Sequence, residues 1–466
     1  MNIVLLSGGS GKRLFPLSQD HRAKQFIKIF QDDNHSSPYS LIQRVWQQAK
    51  ANCPESKVVI ATTDEQVGTI ENQLNYEATI VVEPERRDTF PAIALALAYY
   101  KDQLDVDPKE PIVVMPVDGY YHDTFYESVK KLYDAVASNP DIKVGVIGVK
   151  PTDPSTQYGY ILPMDKTAGL PFYQVKSFKE KPSKSVASML IKENGAYWNC
   201  GVFCTSPDYY DQVLRQHGHK LDYQYLLEHY SELEKISVDY QVIEPCQSTA
   251  MVVHKSYWKD LGTWTSLTGH ITSGTIGKGQ QFNSEDTNII NELSVPVYTV
   301  GTKNLVVTAS PDGILVLDKD KDYMMKSVAS SVQSSRPMYE ERKWGWYRVL
   351  EHFKNDDNDE VLVKRIALDP EKAISYQKHY KRSEVWTITK GRGMFIKNNT
   401  LQEVYPGVTV SIPTESWHAI KNLSDSEPLE FVEVQQGSQL IEEDIIRKDF
   451  DWDLALNASK EASRNR

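Results

Sequence analysis

Short apolar runs alternate with amphipathic stretches through about residue 270. Ile3–Leu6, Val58–Ala61, Thr79–Val82, Ile112–Val117 and Val144–Val149 have the length and β-branched content of buried strands. Tyr39–Ala49, Pro91–Tyr100 and Phe125–Ala137 carry apolar residues at helical spacing. Strand and helix in turn predict an α/β fold: a mostly parallel sheet with helices on both faces, and ligands beyond the carboxyl ends of the strands. Further on, Val297–Val300, Leu305–Thr308 and Gly313–Leu317 predict a strand-rich connector, and the weakly patterned Asp318–Arg336 a linker. After Lys343 the runs Ile374–Gln377, Val385–Thr389, Gly393–Ile396, Thr409–Ile412 and Leu429–Val434, broken by turns, predict a small antiparallel barrel. The expected domains are 1–275, 276–335 and 336–466.

The first strand empties into Ser7-Gly8-Gly9-Ser10-Gly11, a loop nearly bare of side chains that lets backbone amides crowd a ligand. Lys12, Arg13 and Lys24 add cations suited to a polyphosphate, although an ordinary strand-loop-helix corner also fits. A Walker A loop would need Gly and Ser or Thr where Leu6 and Arg13 stand, and a dinucleotide fingerprint would need glycine at Leu14. Both are excluded. Other strand ends carry Glu83-Pro84-Glu85-Arg86-Arg87-Asp88-Thr89, where Pro91 can open a helix, and Asp118, where a magnesium ligand belongs. A solvated charge cluster accounts for the first equally well, and a helix cap for the later Asp260.

A net charge of −11 over 466 residues argues against nucleic acid or an anionic membrane as partner, while leaving room for a local basic pocket. No run of about 18 apolar residues occurs and no leader pattern opens the chain, so a cytoplasmic protein is expected. Cys53, Cys200, Cys204 and Cys246 lack CxxC spacing and are expected as buried thiols.

GGSGKRLFPL followed by Lys24 resembles the GGxGxRLxPL loop and Pro-Lys pair of sugar-phosphate nucleotidyltransferases, with Ala23 in place of the proline. EPERRDTFPA is similar to the EPxxRNTAPA of mannose-1-phosphate guanylyltransferases, departing at Asp88 and Phe90, and Gly119 replaces a usual histidine. Tyr158-Gly159-Tyr160, Glu180-Lys181-Pro182, Trp198-Asn199 and Trp258-Lys259-Asp260-Leu261-Gly262 recur in that family's order. The resemblance implies a Rossmann-like sheet of the GT-A-like type, and GTP and mannose 1-phosphate as partners in an enzyme that can be a homo-oligomer. It implies Arg13, Lys24, Asp118 and Asp260 as catalytic residues, with Mg2+ on the two aspartates. Ser7, Gly8, Gly9, Gly11, Arg13, Arg87 and Thr89 would bind nucleotide; Gly159, Glu180, Lys181 and Asn199 would bind sugar phosphate. Another base or sugar, or a sensor that binds without turnover, remains open.

In the last domain Gln377, His379, Glu384 and His418 resemble the ligand set of a cupin barrel, with Gln377 where the first histidine usually stands. They imply a divalent ion such as Zn, Co, Mn or Ni. SYQKHYKRSEVW is similar to the type II phosphomannose isomerase segment SLQxHxHRxEHW, which places Arg382 at the isomerase's catalytic arginine. Lys381 and Val385 replace two of its histidines, and isomerisation needs a base that titrates near neutrality, so a bifunctional enzyme that also converts fructose 6-phosphate to mannose 6-phosphate stays open beside the transferase alone.

Overall fold

Alternation along Asn2–Leu6 (β1) sends Ile3 and Leu5 to one side of a sheet and Val4 to the other, and each side meets its own helices. The computed structural model describes all residues except 10, 20–21, 32–36, 165–169, 272, 333–335, 356–358 and 453–466. The chain divides into two units, Met1–Thr308 with Leu315–Ser331, and Ala309–Ile314 with Val332–Arg466. Residues 276–335, expected as one connector, are shared between them.

In the first unit the strands after β1 are Val58–Thr63 (β2), Thr79–Glu83 (β3), Ile112–Pro116 (β4), Gly119–Tyr121 (β5), Val144–Val149 (β6), Tyr160–Pro163 (β7), Tyr173–Lys179 (β8), Tyr197–Thr205 (β9), Thr249–His254 (β10) and Trp258–Asp260 (β11). Nine of them form one sheet in the order β3-β2-β1-β4-β9-β6-β10-β8-β7. The pairs β2–β3, β1–β2, β1–β4 and β6–β10 are parallel, while β9 is antiparallel to β4 and β6, and β8 to β10 and β7. All but β8 and β9 therefore run one way, and their carboxyl ends share an edge. Helices Leu41–Asn52 and Phe125–Ala137 cover one face; Thr89–Gln103 and Pro207–Gln216 cover the other.

Helix starts depart from the apolar pattern where a cap decides them. Leu41–Asn52 begins at Ser40, whose hydroxyl accepts from Gln43 N while Gln43 Oε1 accepts from Ser40 N. Thr89–Gln103 begins ahead of Pro91, because Asp88, at φ 66°, accepts from Thr89 N. The expected linker is helical instead: Asp318 caps a 3-10 segment, Lys319–Met324, which runs into the helix Met325–Ser331 and buries Met325. Local capping and one buried apolar residue order a stretch whose periodicity is too weak to show it; its residues 333–335 lie outside the described residues. Before it, Thr275–Gly277 pairs in parallel with Asn288–Asn291, and Gly279–Phe282 with Val297–Val300. Cys53, Cys200 and Cys204 are buried free thiols, and Cys246 is half-buried.

The second unit holds two antiparallel sheets, one of six strands and one of five, closing on Leu362, Trp386, Ile388, Phe395, Ile420 and Phe431. Among the described residues no helix is long and apolar enough to cross a membrane.

One cluster fixes the loop that follows β1 to the segment that follows β11: Leu14 and Leu17 pack with Leu261, Trp264 and Leu267, and Trp264 Nε1 donates to Phe15 O at 3.2 Å. Trp264→Ala should cost about 3–5 kcal/mol of the first unit's stability, read as a lower denaturant midpoint in equilibrium unfolding. An unchanged midpoint would show the anchor to be dispensable.

Candidate active site and a buried ligand cluster

Ser7 leaves β1 still tied to the sheet: its N donates to Ala61 O at 2.9 Å, and its carbonyl accepts from Gln25 Nε2 at 3.2 Å and Thr62 Oγ1 at 3.3 Å. Gln66 Oε1 accepts from the hydroxyls of Ser7 and Thr62. This buried polar net fixes the base of the glycine loop. Gly11 sits at φ +61°, and a Cβ there would lie 2.7 Å from Lys24 Cβ, so the position requires glycine on both counts. Ser10 lies outside the described residues. Beside the loop is a cavity of about 290 Å3 lined by Ser7, Gly8, Gly9, Glu83, Arg86, Thr89 and Asp118 among others. Arg87, expected to face nucleotide, instead runs from Glu85 Oε1 (2.7 Å) to Leu233 O (2.8 Å), and Arg86 lines the cavity. A carbonyl and a carboxylate together satisfy its guanidinium elsewhere.

Asp118 follows β4, and the antiparallel β5–β11 pair sets Asp260 opposite Gly119. Asp118 Oδ2 and Asp260 Oδ1 each lie 2.9 Å from Lys24 Nζ. Burial pulls against the ammonium, but the two carboxylates outweigh it and hold Lys24 well above the usual lysine range. Asp260 is no helix cap, since Thr263 caps Trp264–Thr268. Across this bridge lies a second cavity of about 710 Å3, lined by Asp260, Arg13, His122, Tyr158, Lys259 and His270 among others. Arg13 therefore borders that space rather than the glycine-loop cavity, and its Nη1 donates to Gln157 Oε1 at 3.4 Å.

The residues expected to bind sugar phosphate are brought together. Gly159 O accepts from Asn199 N at 2.8 Å, and a Cβ on Gly159 would lie 2.5 Å from Glu180 Oε2. Glu180 Oε1 accepts from Lys181 Nζ at 2.6 Å; burial alone would lower the lysine's pKa, but Glu180 raises it. Asn199 Nδ2 donates to Asp239 Oδ1 at 2.9 Å. Asp239 is an addition that the sequence did not signal, since it opens a short π-helical turn away from every motif. Burial, aided by Glu180, pushes its carboxyl up to about 7. Glu83 is a second addition: it reads as part of a solvated charge cluster, yet it is buried. Its Oε2 accepts from Tyr230 OH at 2.8 Å, and burial pushes it up to about 7.

In the second unit His379, Glu384 and His418 converge, one ligand atom of each lying within 4.8 Å of the others. His418 Nδ1 donates to Ser416 O at 2.9 Å, which leaves Nε2 as a buried lone pair without a hydrogen-bond partner. That orphaned acceptor, aimed at a buried carboxylate, fits a divalent ion. Gln377 stands in register with His418, its Oε1 accepting from Ser375 Oγ at 3.0 Å. Burial takes His379 down to about 4, which keeps it neutral. Trp386 Nε1 and Gln435 Nε2 each donate to both Glu384 and Glu433, a framework that sequence spacing alone did not reveal. Arg382 is buried, with Nε donating to Glu384 Oε1 at 3.1 Å, while Lys381 Nζ donates to Gln439 and Val385 is exposed.

A family model described as nucleotidyl transferase matches residues 2–273, and one described as mannose-6-phosphate isomerase C-terminal matches 329–450. A putative mannose-1-phosphate guanylyltransferase of Vibrio cholerae serotype O1 is 28% identical over 95% of this chain and 98% of its own. Mannose-1-phosphate guanylyltransferase RfbM of Salmonella typhimurium is 29% identical over 95% and 96%. The solved structure of mannose-1-phosphate geranyltransferase from Thermus thermophilus is 27% identical, covering 71% of this chain and 98% of that one at a TM-score of 0.60.

Glu83 gives this site a pH signature. Its folded pKa, about 7, exceeds the usual value in an unfolded chain, so the folded state binds the extra proton. Stability contributed by the neutral carboxyl is full below about pH 4.3 and falls as pH rises to about 7. Glu83→Gln, neutral throughout, should gain roughly 2–3 kcal/mol on the parent between pH 5 and 8, measured by urea unfolding at each pH. A pH-independent difference would refute the assignment.

Proposed function

The chain belongs to the nucleotidyl transferase family, and we propose that it joins GTP and mannose 1-phosphate into GDP-mannose, releasing diphosphate. The observation that carries this reading is the Asp118–Lys24–Asp260 bridge beside the glycine loop, with a cavity on either side. A phosphate oxygen of mannose 1-phosphate attacks the α-phosphorus of GTP in line; the new O–P bond forms as the bond to the diphosphate breaks. The sugar phosphate is largely dianionic at neutral pH and needs no general base.

Positioning and charge neutralisation then supply the catalysis. Ser7, Gly8, Gly9 and Gly11 bring backbone close to the triphosphate, Lys24 and Arg13 neutralise it, and Thr89 lines the nucleoside side. Arg87 supports that side through Leu233. Glu180 and Asn199 accept and donate to sugar hydroxyls beside Gly159, and Lys181 offers its charge to the sugar phosphate. Asp118 and Asp260 already hold one cation, and they would hold Mg2+, which supplies charge neutralisation at the reacting phosphates.

Residues 1–275 carry the transferase chemistry, on a GT-A-like Rossmann sheet, and the strands from residue 336 onward form a cupin barrel. Gln377, His379, Glu384 and His418 bind a divalent ion such as Zn, Co, Mn or Ni. Isomerisation is not assigned to this barrel: Arg382 is buried against Glu384, and neither Lys381 nor Val385 replaces the missing histidines.

Diphosphate release from a panel of four nucleoside triphosphates and several sugar 1-phosphates tests the reading, with GTP plus mannose 1-phosphate expected to be fastest. Arg13→Ala and Asp118→Asn should each lower kcat by about 100-fold or more, whereas Lys181→Ala should mainly raise KM for the sugar phosphate. No diphosphate from any pair would leave a binding protein. With added divalent metal the full chain should not interconvert fructose 6-phosphate and mannose 6-phosphate; turnover there would restore the bifunctional reading.

A further inference from the structure

Lys24 stands where a metal ion would stand. Its ammonium is equidistant, at 2.9 Å, from one oxygen of Asp118 and one of Asp260, and its side chain is only 11% exposed. The glycine loop presses on its stem, since no Cβ could be accommodated at Gly11 against Lys24 Cβ and Cγ. Asp118 lines the glycine-loop cavity and Asp260 the cavity beyond, so the ammonium sits at the border between the two spaces.

We propose that Lys24 is a resident counter-ion that keeps free divalent metal out of the Asp118–Asp260 site, and yields that site only when a nucleotide's phosphates arrive to take the ammonium. This rests on the reading of Asp118 and Asp260 as ion ligands.

Charge arithmetic at the site supports it. Two carboxylates and one ammonium carry a net single negative charge, and a dication added to that set meets the ammonium's repulsion at close range. A triphosphate seated along the glycine loop reverses the balance by offering the ammonium stronger anionic acceptors. Lysine suits such an exchange, because its charge is a compact point on a flexible four-carbon stem with three rotatable donors. The site's metal affinity and its nucleotide affinity are then coupled, and each must raise the other by the same factor. Free metal therefore binds the resting site more weakly than the nucleotide-bound one, and the ion enters preferentially with the triphosphate.

The test reads metal binding rather than turnover. Free Mn2+ is counted by electron paramagnetic resonance in titrations of the full-length protein, with and without a non-hydrolysable GTP analogue. The ions lost on Asp118→Asn identify this site and separate it from the histidine cluster of the second unit. Without nucleotide, Lys24→Met should bind Asp118-dependent Mn2+ at least tenfold more tightly than the parent, and the analogue should tighten the parent by a similar factor. Equal affinity in parent and Lys24→Met without nucleotide overturns the proposal while leaving the two aspartates as ligands. Absence of any Asp118-dependent Mn2+, with or without the analogue, removes the ligand reading and this inference with it. Should Lys24→Met fail to fold, a crystal structure of the parent with Mn2+ and the analogue decides. Nζ displaced from both carboxylates toward phosphate supports the exchange, and Nζ unmoved beside a bound ion overturns it.

Discussion

One ammonium between two carboxylates organises the first unit's candidate site. Asp118 arrives from the end of β4, Asp260 from β11 and Lys24 from the segment after the glycine loop, so three distant stretches of chain meet at one ion pair. Two facing carboxylates would repel by several kcal/mol in a partly buried setting, so a site built from them needs a resident cation before any substrate is present. The sheet edge, the β5–β11 pair and the apolar cluster around Trp264 all serve to bring these three groups to one point. Neighbouring loops inherit their positions from that point: Gly11 lies against the lysine stem, and the two cavities open on either side.

The other acids near the site are handled differently. Glu83 is buried and Asp239 half-buried, and the folded protein accommodates each by letting it keep its proton close to neutral pH. Each also has a hydrogen-bond partner distant in sequence, Tyr230 for Glu83 and Asn199 for Asp239, which fixes the carboxyl's orientation. Neutral carboxyls can donate as well as accept, a versatility suited to the edges of bases and sugars.

The second unit concentrates its polar chemistry in a closed core. His379, Glu384 and His418 are all nearly inaccessible, and Trp386 and Gln435 hold Glu384 from behind while also donating to Glu433. Such a shell orients a ligand carboxylate firmly. The same closure places Arg382 in an ion pair with Glu384 instead of at an open surface.

The sequence by itself determined the elements and the chemistry that is local. Apolar runs placed the strands of the sheet, and the glycine loop was legible because only glycine tolerates the backbone at Gly11. Asp118 was legible as a carboxylate at a strand's end, whereas Asp260 and the ligand types at Gln377, His379, Glu384 and His418 were legible through resemblance to family motifs. Helix starts at Ser40 and Asp88, and the helical turn after Asp318, escaped it because a single cap hydrogen bond outweighs weak periodicity over one turn. Only the tertiary structure decided which charges meet: that Lys24 closes on both aspartates, that Arg86 faces the cavity while Arg87 turns to Leu233, that Glu83 is buried, and that Asp239 meets Asn199. Those outcomes depend on distance and solvent exclusion between segments far apart in the chain, and neither quantity is written in local pattern.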